Sequence, residues 1–477
     1  MTVTLNFRRD LTLEAALRVG WQGEPVEIGA TAIARMLDCR AAFERYIDDP
    51  NVVVYGVTSG YGHNASKRLT PAERKTHALR PPLGAQANYG ELFPNRVVRL
   101  MALARLANFL EGHAAVRPEL AVAVARLLSS GPLPPVPRDG AVCAGEILPL
   151  SWLFAGLATE LGTQEKEALA LINGAPVAAA LVADGALAAR QRLPVIEAIF
   201  ALLAEAYKAP TAHFSPEVSA LSGDPHELAA AQSLAALWQG GTTDRRPYQA
   251  PVSFRILPKM LGRLRRHIAA LEDVAALSLS QVSDNPVFLP PDAEHPNGRA
   301  VSTGGYHNAI AAPALNALTI ATADLCTLAD RMLARLLDGR TSGLPDQLSA
   351  GPDDQRNFGT LGFALVGYGE KARRAAQAVF LPGSESGGFV QNDVAVPTAL
   401  AWEGLEEASR MLELSLGALA VIGSQALHVT QRQEPKPLTY LINLIRAAAP
   451  VMLETGSPGA LAAAATAALR HDMNIPV

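Results

Sequence analysis

Between residues 97 and 110 the apolar side chains of Val97, Leu100, Met101, Leu103, Leu106, Phe109 and Leu110 return every three or four positions and stop at Gly112. That rhythm stacks side chains on one face of a helix, so the segment is expected to be helical with one buried face. The same rhythm predicts helices over 119–128, 197–207, 257–277, 309–337, 399–428 and 437–453, while few stretches alternate with period two. Alanine, leucine and arginine, all strong helix formers, dominate these segments. The expected fold class is mainly α, a bundle of long helices.

Charge and cysteine usage narrow the class further. Only 18% of the 477 residues are charged, below the roughly 25% usual for soluble domains, which suggests an oligomer with large buried interfaces. A formal charge of -4 excludes a basic nucleic-acid binder. Cys39, Cys143 and Cys326 are too few and too far apart for a disulfide framework or a metal clip, so a reducing cytosol is expected. The opening MTVTLNFRRDLTLEAAL has no secretory pattern. The longest uncharged run, 300–323, is broken by Ser302, Asn308, Pro313 and Asn316, which fits a buried core helix better than a membrane span. Neither HExxH, a Walker loop nor a strand followed by GxGxxG occurs, so no metal or nucleotide is implied.

Four Gly-, Pro- and polar-rich loops interrupt the helices, at 55–64, 132–149, 284–302 and 382–397, and loops on a rigid scaffold are where catalytic groups gather. They carry VYGVTSGYG at 54–62, CAGEILPL at 143–150, VSDNP at 282–286 and QNDV at 391–394, with ALALING at 168–174 between them. Together, in this order and along nearly the whole chain, these motifs resemble the aromatic amino acid ammonia-lyase and aminomutase family, which includes histidine ammonia-lyase. The resemblance implies the long-helix fold of the aspartase and fumarase relatives, homotetramers with active sites built from several subunits, and a small-molecule carboxylate substrate. The expected division is a loop-bearing N-terminal domain over 1–195 and a central and C-terminal helical bundle over 196–477.

Members of that family eliminate ammonia with a methylidene-imidazolone made from an Ala-Ser-Gly backbone triad, whose serine loses water. Here the triad aligns with Cys143, Ala144 and Gly145. A methyl side chain cannot be dehydrated to a methylidene, so that group is not expected to form. A register centred on Cys143 would allow loss of hydrogen sulfide, but Ala144 would then replace the glycine and GEILPL would slip.

The resemblance places Tyr55 as general base, Arg255 as the carboxylate fork and Asn173 near the substrate's polar end, types suited to proton transfer, bidentate anion binding and two-way hydrogen bonding. Each has a plainer reading, as a loop phenol, an ion pair and a helix cap. Tyr306, His307 and Asn392 are further lining candidates. Cys143 is either a nucleophile or an inert buried thiol. Asp284 and Asn285 read as helix-stop residues.

Several family positions are changed. Val252 stands where a second tyrosine belongs, with Tyr248 nearby; Gly305 replaces an asparagine; Pro176 replaces a glutamine. A Ser-His pair that commonly selects the substrate ring is replaced near Arg80 and Pro81. Three readings follow: a methylidene-imidazolone-free enzyme using Tyr55 for elimination, addition or isomerisation; a non-catalytic binding relative; and an orthodox ammonia-lyase.

Overall fold

In the computed structural model, residues 2–129, 131–349, 358–383, 392–452 and 456–476 are described. The long helices in chain order are α1 (Ala30–Ile47), α2 (Pro71–Ala78), α3 (Asn95–Leu110), α4 (Pro118–Ser129), α5 (Ile147–Leu161), α6 (Pro176–Ala206), α7 (Pro225–Leu237), α8 (Leu257–Ser280), α9 (Ala311–Leu337), α10 (Leu361–Ala375), α11 (Thr398–Val429), α12 (Thr439–Ala448) and α13 (Pro458–Asp472). Helices α6, α8, α9 and α11 form the central bundle, with α3 and α8 against α6 and α10 and α13 against α11. Two short sheets complete it, β1 (Val3–Leu5) parallel to β2 (Val26–Ile28) and β3 (Val287–Leu289) antiparallel to β4 (Arg299–Val301). The mainly α, long-helix reading holds.

Local chemistry sets the helix ends. Thr70 and Glu73 form a reciprocal capping box at α2, with Pro71 in its first turn, and α5 ends at Gly162, whose φ of 65° suits a residue without Cβ.

Three sequence expectations change. The 97–110 stripe was expected to bury one face, but α3 is buried on every side from Arg96 to Leu110. Its polar residues find partners inside the protein: Arg96 Nε donates to Asp184 Oδ1 at 2.8 Å, and Arg99 Nε donates to the Val19 carbonyl at 2.8 Å. The segment 197–207 is the second half of α6, a 31-residue helix that continues past Pro194. The proposed division near residue 195 thus falls inside one helix, and a single apolar core extends on both sides of it, from Val3 to Met473. Finally, the uncharged run 300–323 is helical only from Ala311; it begins in β4 and a loop.

Three segments, Glu167–Ala206, Ala311–Leu337 and Thr398–Val429, are long and apolar enough to cross a membrane by composition alone. Their apolar windows are 83%, 61% and 83% buried within the fold, so that character is used mainly in helix packing.

Candidate active site

The loop after α1 is held by a small core of its own. Val54 and Val57 pack with Phe43, Ile47 and Phe288, and the Phe43 and Phe288 rings meet edge-on at 5.3 Å. Above that core the Val54 carbonyl accepts from the N–H groups of Val57, Thr58 and Ser59, and Thr58 Oγ1 accepts from the Val54 N–H at 2.8 Å. Tyr55 is thereby turned into a cavity of about 880 Å³. Its phenol oxygen accepts from the Gly62 N–H at 3.0 Å, and its own proton has no acceptor among the described residues.

Ala144, Gly145 and Asn173 line the same cavity, as do Tyr306 and Asn392. Gly145 has φ 68° and ψ 7°, and a Cβ built on it would lie 2.5 Å from Asn173 Oδ1. Glycine is therefore required there both by the left-handed backbone and by the close approach of the amide. Asn173 Nδ2 donates to the Asn285 carbonyl at 3.2 Å, while its Oδ1 is buried without a hydrogen-bond partner. A buried, unpaired amide oxygen beside a cavity is poised to accept from a ligand.

In and behind this wall lie four ionisable groups that periodicity could not bring together. Lys166 and Asp284 are fully buried and meet at 2.5 Å, and Asn108 Nδ2 also donates to Asp284 Oδ2, at 2.8 Å. Burial pushes the Lys166 pKa down, against the opposing pull of Asp284. Arg105 donates to the carbonyls of Asn173 at 2.8 Å and Ser283 at 2.5 Å. Glu146, left-handed at φ 55°, accepts from the Val177 and Ala178 N–H groups at 2.6 and 2.9 Å, capping α6 from the end of the 143–146 turn. Asp284 is thus an anchor for this network and more than a helix stop.

Burial raises the Glu146 carboxyl pKa to about 8, outweighing its two backbone donors and Arg105. The folded state therefore holds this proton to higher pH than the unfolded chain. The contribution is fully present below the ordinary value of 4.5 and is lost as pH rises through about 8. Unfolding by urea across that window should show wild-type stability falling relative to Glu146→Gln as pH rises. Parallel curves for the two proteins would mean the carboxyl is already ionised when folded.

Other expected residues lie elsewhere. Cys143 is buried in extended backbone behind Ala144 and is not among the cavity-lining residues. His307 and Arg255 also do not line the cavity of one chain, although His307 Nε2 and Arg255 Nε are both buried without hydrogen bonds. Val252, beside Arg255, is 58% exposed, and Tyr248 is exposed with its hydroxyl accepting from Arg246. Of the 382–397 loop, residues 384–391, Gln391 included, lie outside the described residues. Lining residues that sequence reasoning did not assign to the site include Tyr61, His77, Gln164 and Lys166. Among the described residues no cluster of three or more His, Cys, Asp or Glu side chains is placed to hold a metal ion.

The side chain that the turn presents to the cavity is the Ala144 methyl, which has no leaving group, and the neighbouring thiol is not in the cavity wall. These residues do not fit dehydration to a methylidene-imidazolone.

The model of the family described as aromatic amino acid lyase matches residues 11–162 and 158–447. Histidine ammonia-lyase of Deinococcus radiodurans is 30% identical over 353 residues, which span 68% of this chain and 66% of that protein. The match therefore spans just under two thirds of the relative's length. Among solved structures, ergothionase from Treponema denticola, an ergothioneine-degrading enzyme, superposes with a TM-score of 0.90 at 18% identity over all of both chains. Histidine ammonia-lyase from Trypanosoma cruzi superposes with a TM-score of 0.85 at 22% identity, over 99% of this chain and 94% of that one. At such identities the superpositions speak for the fold, and the family match over most of the sequence settles the lineage: this chain belongs to the aromatic amino acid lyase family.

Proposed function

We propose that the chain is a lyase or isomerase that moves a proton through Tyr55 and works without methylidene-imidazolone. The observation that carries this reading is Ala144, whose methyl faces the cavity beside Tyr55 and Asn173. In an elimination, Tyr55 as the phenolate takes the proton from the substrate's β-carbon. The C–H electrons become the double bond, and the Cα–N bond leaves with its electrons on nitrogen. With no electrophile to activate the amine, the leaving group must depart readily by itself.

A quaternary ammonium meets that need, because it leaves as a neutral tertiary amine. The described cavity lining offers such a cation three aromatic rings, from Tyr55, Tyr61 and Tyr306. Aromatic rings attract a quaternary ammonium through the negative potential of their faces. The likeness to an ergothioneine-degrading enzyme supports looking beyond ordinary amino acids.

The site is completed, in this proposal, by neighbouring copies in a homotetramer. Arg255, with its orphaned Nε, would bring its carboxylate fork from a second chain, and His307 would turn its free nitrogen to a subunit boundary. Exposed Phe363, Phe380 and Leu381 provide apolar area for such contacts.

The test pairs histidine, phenylalanine and tyrosine with their N,N,N-trimethyl counterparts, following the absorbance of the unsaturated product. The expected result is turnover of a quaternary substrate alone, with a peptide spanning Arg138 to Glu160 keeping its encoded mass. Ammonia release from histidine, with a mass deficit at Cys143 to Gly145, would establish the orthodox ammonia-lyase instead. Tight binding without turnover of any of these compounds would favour the non-catalytic relative.

A further inference from the structure

The same cavity has a second wall, formed by the end of α2 and the segment that follows it. His77, Arg80, Pro81, Pro82, Gly84 and Ala85 line it. The segment is fastened at several points to α5 and the residues after it. Thr163 Oγ1 donates to the Ala78 carbonyl at 2.6 Å, Ser151 Oγ donates to the Pro82 carbonyl at 2.5 Å, and Gln86 Nε2 donates to the Ser151 carbonyl at 3.2 Å. Arg80 itself donates its backbone N–H to His77 at 3.2 Å. Two proline rings follow it directly. The backbone that carries the guanidinium is therefore pinned on both sides.

The side chain, in contrast, has no ion-pair or hydrogen-bond partner among the described residues, although the chain forms many Arg-carboxylate pairs elsewhere, such as Arg96 with Asp184 and Arg117 with Glu167. The other cation in the lining, Lys166, is committed to Asp284. The described lining contains no carboxylate that could neutralise Arg80. His77, its neighbour, is held toward the neutral form by burial and by Arg80 itself, so it adds no competing charge. The lining thus includes one exposed, permanently charged, five-donor group with no protein partner among the described residues, beside aromatic and apolar side chains and the neutral polar groups of Gln164, Asn173, Asn285, Ser302, Thr303 and Asn392.

We propose that Arg80 is a specificity-determining residue that binds an anionic substituent at the end of the substrate remote from its α-carboxylate. The substrate would then carry two anionic groups, one at each end. This assignment rests on the elimination reading for the wall opposite, but it concerns recognition, and binding alone can test it. It also gives a task to an exposed guanidinium that a rigid bridge holds beside the cavity with no protein partner among the described residues: the ligand supplies one.

Two unsaturated carboxylates serve as probes, cinnamate and para-carboxycinnamate, which differ by a second carboxylate on the ring. Titration calorimetry with the full-length protein should show the dicarboxylate binding roughly tenfold or more tightly, as expected for a charge-assisted hydrogen-bonded pair. The preference should vanish in Arg80→Gln and return in part in Arg80→Lys, with all three proteins melting alike because Arg80 is exposed and makes no side-chain bond. Equal affinities for the two probes in the wild type would overturn the proposal, as would a preference that survives in Arg80→Gln or binding of neither probe. Loss of the catalytic reading would appear separately, as undiminished turnover in Tyr55→Phe with the probe preference intact.

Discussion

Tyr55→Phe is expected to lower turnover by roughly two to four orders of magnitude, the usual worth of a positioned acid-base group, while ligand affinity stays within a few-fold. The separation of the two effects follows from how the loop is built. Its position comes from Val54 and Val57 in their small core and from three N–H groups gathered on one carbonyl. The phenol oxygen contributes only one further bond, the 3.0 Å contact from Gly62. Removing the hydroxyl leaves that N–H on a partly exposed loop where water can replace the lost acceptor. The fold should therefore persist, which a melting curve checks, and the change should fall on kcat. Undiminished turnover would remove Tyr55 from the chemistry and leave the cavity as a binding site.

The helices were legible because long amphipathic segments announce themselves. The period over 257–277 found α8, and that over 399–428 found α11 almost to its ends. Helix α3 shows where the same logic fails. Arg96, Arg99, Arg105 and Asn108 look like a solvated face when only sequence is seen, yet each finds a partner inside the protein, so the helix needs no wet side. The site divides in a similar way. Tyr55, Ala144, Gly145, Asn173, Tyr306 and Asn392, drawn from separate motifs, all line one cavity. Lys166 could not be assigned, since a lone lysine before an apolar run reads as a helix-start residue and its partner is 118 positions away. Arg80 was visible as a departure from the family pattern, but the reading given to it depends on an absence of carboxylates among the described lining residues that only the folded cavity displays.

Lys166→Met is expected to cost about 3–5 kcal/mol of stability, because it leaves the Asp284 carboxylate buried without its counter-charge. Asp284 has more to hold than the ammonium: it also accepts from the Asn108 amide at 2.8 Å and from the Asn285 N–H at 2.8 Å. Asn285 in turn accepts from Asn173 through its carbonyl and from Ser302 and Thr303 through its side chain, so the pair fixes two edges of the cavity at once. Adding Asp284→Asn should recover part of the loss, since the second substitution removes the stranded charge while keeping an acceptor for the Asn285 N–H. Urea unfolding of the wild type, both single variants and the double variant would give the coupling between the two sites, expected to be on the order of 2 kcal/mol for groups in direct contact. Additive losses would mean that the two charges are stabilised independently. A Lys166→Met protein that unfolds like the wild type but no longer turns over would instead assign Lys166 to the chemistry, because a group whose only task is to neutralise Asp284 cannot be removed without a cost in folding.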